Sequence, residues 1–115
     1  MSSKSNFSNS TANSYALALY ELSKENSSLD LVGQEMNSLY KLLSESVDFK
    51  EMILNPMVQK EDKQNIIYQI ADKNKFSEIT KKFLGFVSIK NRLFFLEKII
   101  VSFLNLISTS KGELK

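Results

Sequence analysis

The sequence predicts an all-α fold, a compact six-helix bundle, and three observations carry that prediction. Apolar residues recur at spacings of three and four along nearly the whole chain, the period of a helix with one buried face. Three glycines and a single proline in 115 residues leave almost no material for hairpin turns. No stretch carries a strand signal.

The first ten residues, "MSSKSNFSNS", are polar and are expected to form a disordered tail before a bundle over residues 11–110. The first helix is predicted from about Thr11 to Glu25, with Ala12, Tyr15, Leu19 and Leu22 on one stripe and Ala16 and Ala18 as small neighbours. "NSS" at 26–28 breaks it and offers hydroxyl caps to the next helix. That second helix runs from about Leu29 to Leu43 on Leu29, Val32, Met36, Leu39, Tyr40 and Leu43. A short third helix fits Asp48 to Leu54, with Asp48 as its cap and Glu51 three residues on.

Asn55-Pro56 should end that helix, because proline has no backbone N–H and disfavours helix in the residue before it. Beyond it, Glu61 and Asp62 suit the positive end of a fourth helix, whose narrow apolar face is Ile66, Ile67, Ile70 and Ala71. Ser77 can cap a fifth helix from Glu78 to about Ile89, carrying Ile79, Phe83, Phe86 and Val87. The sixth is read as one helix from about Arg92 to Thr109, on Leu93, Leu96, Ile100, Phe103, Leu104 and Ile107, with Gly112 as its stop.

Composition removes most function classes. At 43% hydrophobic and 24% charged, the chain has the makeup of one globular domain, able to bury roughly two-thirds of its unfolded surface. A net charge of +2 is too small to imply a polyanion partner. Without cysteine there is no disulfide framework or thiolate metal site, and without histidine the usual neutral-pH proton shuttle is missing. Gly33, Gly85 and Gly112 are isolated, so no phosphate-cradling loop exists, and adjacent Glu61 and Asp62 point to different faces of a helix. No catalytic, metal or cofactor site is expected, and the most apolar region, Ile99 to Ile107, contains Ser102 and Asn105 and is far shorter than the ~20 residues a membrane span needs.

Two binding readings remain. Residues 73–98 carry seven Lys or Arg against two Glu, with Phe83 and Phe86 nearby, which is either a solvated helix face or an RNA-binding surface. Arg92, the single arginine, is the residue type best suited to bidentate phosphate contacts. Separately, small residues stand beside large ones: Ala12, Ala16 and Ala18 by Tyr15, and Gly85 by Phe83 and Phe86. Such gaps either admit a partner helix or are filled by neighbouring helices.

Three ordered stretches carry a family resemblance. "ANSYALALYELSKE" (12–25) resembles the opening helix of the ATP synthase delta subunit, whose mitochondrial counterpart is the oligomycin-sensitivity-conferring protein. "ILNPMVQKEDK" (53–63) is similar to that family's Asn-Pro turn with its following Val and Lys. "FLGFVSIKNRLFFLEKIIVSF" (83–103) is similar to its Phe-Leu, spacer, Asn/Lys-Arg-Leu and long last helix. The match in order and spacing spans about Ala12 to Gly112.

The resemblance implies a non-catalytic stator adaptor that binds the N-terminal helix of an alpha subunit on top of the catalytic head. The implied groove lies between the first and fifth helices, at Tyr15, Ala18, Leu22, Phe83, Phe86, Val87 and Lys90. It further implies a monomer in isolation, without nucleic acid, peripheral on the cytoplasmic face of a bacterial inner membrane or on the matrix side of the mitochondrial one. Family members continue into a second domain that joins the peripheral stalk, so residues 111–115 are read as the start of a linker and stalk attachment as absent from this chain. The competing expectation is an all-helical RNA-binding protein of the antitermination-factor type using the basic fifth helix; a third is a self-associating structural bundle.

Overall fold

Residues 3–110 are described by the structure, a computed structural model, and the side chains of residues 10–109 within them. They form α1 (Ser3–Glu25), α2 (Leu29–Glu45), α3 (Val47–Leu54), α4 (Lys60–Lys73), α5 (Glu78–Ile89), a 3₁₀ turn (Leu93–Phe95) and α6 (Leu96–Ser110). The all-α expectation of six helices is met, and no strand occurs among the described residues. The proposed tail falls partly on Met1 and Ser2, and the linker on 111–115, with Gly112; those positions lie outside the described residues. The first helix starts at Ser3 rather than Thr11, along a stretch without glycine or proline to stop it.

Helix ends explain most of the other differences. α3 is capped by Ser46, whose hydroxyl accepts the Phe49 N–H at 3.2 Å, so Asp48 lies in the first turn instead of at the cap. Ser28 flanks α2 without capping it; its hydroxyl donates to the Asn26 carbonyl at 3.0 Å. Ser77 does cap α5, accepting from the Thr80 N–H. The sixth helix is not continuous from Arg92, because Leu93–Phe95 turn more tightly before α6 begins.

Three helices end on a left-handed residue that is not glycine. Ser27, Lys75 and Asn91 take left-handed backbone angles (φ 53, 57 and 62°) just beyond α1, α4 and α5. Each lets the next residue reach back five positions: Ser28 N–H to Ser23 O, Phe76 N–H to Ala71 O, and Arg92 N–H to Val87 O, at 2.8–3.0 Å. α3 ends differently, as proline requires: Asn55 is extended, and its side-chain oxygen accepts the Met57 N–H at 2.9 Å.

The core follows the helical stripes. Fully buried Val32, Met36 and Leu39 of α2 join Leu96, Ile99, Ile100 and Phe103 of α6, with Ala12, Ala16 and Leu19 of α1. α1 lies mainly along α6, α4 along α5, and α2 bridges to α6. Tyr40 and Leu22, read as stripe residues, are instead exposed.

One buried carboxylate fixes α5. Glu35 of α2, 7% exposed, accepts from the Ser77 N–H (2.6 Å), the Ser77 hydroxyl (2.8 Å) and the Thr80 hydroxyl (2.5 Å). A carboxylate at a helix N-terminus meets both the free N–H groups and the positive end of the dipole. This tie sets where the candidate site's second wall stands relative to the bundle.

Candidate functional site

Between the C-terminal half of α1 and α5 lies a depression of about 420 Å³, lined by Leu22, Asn26, Glu78, Ile79, Lys82, Phe83 and Phe86. Three of the expected groove residues meet there: Leu22 and Phe86, 42% and 49% exposed, face it as apolar walls, and Phe83 forms its nearly buried floor. Tyr15 joins from α1, its ring 6.0 Å from that of Phe86 in a tilted arrangement. Lys90 is exposed and holds its ammonium 5.6 Å from the centre of the Phe86 ring. Ala18 is exposed on α1, on the same helical face as Tyr15 and Leu22 by its spacing.

Val87 stands apart. It is fully buried within the core and offers no surface to a partner in this conformation. Its neighbour Phe86 is exposed because successive residues on a helix point about 100° apart.

The gaps beside small residues have two different fates. Ala12 and Ala16 are buried in the core. Gly85 is filled by Tyr68 of α4: a Cβ at Gly85 would overlap the Tyr68 ring and hydroxyl. Gln64 also donates to the Gly85 carbonyl at 3.1 Å. Only glycine permits that approach of ring to backbone, so this gap belongs to the free chain's own packing.

Ile79, Glu78, Lys82 and Asn26 line the depression and were not foreseen as site residues. Helical spacing would have found two of them, since Ile79 is four residues before Phe83 and Lys82 four before Phe86. Asn26 needed the turn: its amide donates to the Leu22 carbonyl at 2.8 Å, which places it at the end of the groove.

Two of the basic residues of 73–98 already have partners within the chain. Lys81 is paired with Asp72 at 2.8 Å and lies 5.4 Å from the Tyr68 ring centre, while Lys90 overlies Phe86. Among the described residues no group of acidic side chains is arranged to hold a metal ion, and no helix is long and apolar enough to cross a membrane.

Fold and site together define a helical bundle with one mixed aromatic and aliphatic cleft between its first and fifth helices. Comparison with known proteins makes that class particular. Residues 11–115 match the family model described as ATP synthase delta (OSCP) subunit, and the chain belongs to that family. It is 39% identical, over its full length, to the ATP synthase subunit delta of Pelagibacter ubique, and 36% identical over 102 residues to that of Rhodospirillum rubrum. These alignments cover 62% and 55% of the two relatives, so the chain spans little more than half their length. The family is that of a non-catalytic subunit.

Proposed function

We propose that this chain is a stator module of a rotary ATP synthase, holding the N-terminal helix of an alpha subunit in the cleft between α1 and α5. It acts peripherally, on top of the catalytic head at the cytoplasmic face of a bacterial inner membrane, and is a monomer when isolated. The observation that carries the reading is the exposure of Leu22 and Phe86 as facing apolar walls over Phe83, in a chain of this family. An amphipathic helix seats its apolar stripe in such a groove.

The role is mechanical, so affinity must outlast the load of the rotor. Each buried apolar anchor contributes about 1.5–3 kcal/mol before association costs, so three or four anchors suffice for tight binding. A pair made by Lys90 at the rim adds only ~0–1 kcal/mol.

Calorimetric titration with a peptide of an alpha-subunit N-terminal helix tests the reading. Ala18→Trp should block the peptide sterically, and Phe86→Asp should weaken it by about 2 kcal/mol or more by placing an unpaired charge at a dry contact. Apolar groove binding should also persist as salt rises, where phosphate binding would fall steeply. Full affinity in both variants would exclude this cleft as the seat.

A further inference from the structure

A second surface, at the opposite turn of the sequence, combines an apolar rim with a buried cation. Ile53, Leu54, Pro56, Val58, Asn91 and Phe94 enclose a cleft of about 370 Å³ whose one charged lining residue is Lys63. Leu54 and Phe94 are about half exposed, and Met57, between two lining residues in the chain, is 84% exposed. Large apolar side chains left in water beside one concavity mark an interaction site more often than singly scattered ones do.

Lys63 is the unusual member. Its residue is 7% exposed, and its ammonium donates to the Ile53 carbonyl at 3.0 Å, in the last turn of α3. That carbonyl end carries only about half a negative charge. No described residue forms an ion pair with Lys63, and burial holds its pKa below the ordinary lysine value. An ammonium has three donors, and a buried charge without a counter-ion is costly.

We infer that this cleft docks an acidic, apolar peptide segment of a partner protein, its Asp or Glu carboxylate pairing with Lys63 while flanking apolar side chains cover Leu54 and Phe94. Charge complementarity selects the carboxylate. The exposed rim selects a peptide over a bare anion, which would leave Leu54, Met57 and Phe94 in water. The seat is separate from the α1–α5 cleft, whose lining shares no residue with it.

The test is nuclear magnetic resonance titration of the full chain with a blocked Ala-Leu-Glu-Leu-Ala peptide and its Gln analogue. Saturable shifts at Leu54, Val58 and Phe94 are expected, weaker for the Gln analogue by about tenfold or more, as loss of a charge-assisted hydrogen bond implies. Lys63→Met should erase the difference between the two peptides, and Phe94→Ser, at an exposed position, should weaken both. If Lys63→Met does not fold, the peptide pair on the unaltered chain still decides. Equal binding of the Glu and Gln peptides overturns the inference, as does the absence of saturable shifts in the cleft. Octanoate binding there without the peptide would also overturn it, assigning the site to a lipid carboxylate.

Discussion

On one side of α5, Tyr68 of α4 fills the space over Gly85, Gln64 donates to the Gly85 carbonyl, and the Ser88 hydroxyl donates to the Lys60 carbonyl. On the other side, Ile79, Phe83 and Phe86 face a depression bordered by Leu22 of α1 and Asn26 in the turn just beyond it. Both sides set small residues against large ones, yet one is closed and the other open. The difference lies in the reach of what the neighbouring helix presents: a tyrosine and a glutamine from α4, an exposed alanine and a leucine from α1. A small residue therefore marks a gap, and only the adjoining helix decides whether the free chain fills it.

The largest expected effect is at the anchor that holds both faces in place. Glu35→Ala should destabilise the chain by about 2–5 kcal/mol, because it strands the Ser77 N–H and the buried Thr80 hydroxyl without an acceptor. Chemical denaturation measures it. A variant as stable as the parent would mean that apolar packing alone positions α5, and that the comparison rests on the wrong contact.

Gly85→Val attacks the closed face directly. The added side chain must expel Tyr68, so a loss of about 1–3 kcal/mol is expected despite the better helix propensity of the new residue. Tyr68→Ala in the same chain should recover part of that loss. Full additivity of the two changes would show that the ring does not occupy the gap.

Much of this was legible in advance, and the failures have physical causes. The stripes of α2 and α6 were readable because a 3.6 period survives any tertiary context that buries one face. The end of α3 was readable because proline leaves no alternative at Asn55. The ends of α1 and α5 were located, but not their mechanism, and α4 was given no end, since nothing in Ser27 or Lys75 announces a left-handed residue. Ser46 and Asp48 are both good caps two positions apart, and local sequence does not rank them. Glu35 was silent because its partners lie 42 and 45 residues away. Of the expected groove residues, Leu22, Phe83 and Phe86 line one depression, whereas Val87 lies on the core side of α5, a difference that needed the packing of α5 to be known.

The open face predicts a smaller change in the free chain. Phe86→Asp should cost no more than about 1.5 kcal/mol of stability, the worth of its ring contact with Tyr15. Ala18→Trp, at an exposed helix position, should shift stability within about 0.5 kcal/mol. Thermal midpoints of both variants sharpen the contrast with Gly85→Val. A loss as large as that of the glycine variant would make the open face part of the core.

The smallest effect is expected at the rim of the closed face, where Lys81 of α5 pairs with Asp72 of α4 at 2.8 Å. The hydrogen bond to Asp72, above all, raises the Lys81 pKa from its ordinary 10.5. A cation whose folded pKa is raised binds its proton more tightly when folded, so its contribution is fully present below 10.5 and lost only as pH climbs through the folded value. Stability should therefore show no dependence on this pair near neutral pH. Asp72→Asn should move the denaturation midpoint only slightly at low salt, and not at all at high salt, because both side chains are solvated and screened. A large, salt-insensitive loss would show that the ion pair, rather than Tyr68 and the buried hydrogen bonds, closes this side of α5.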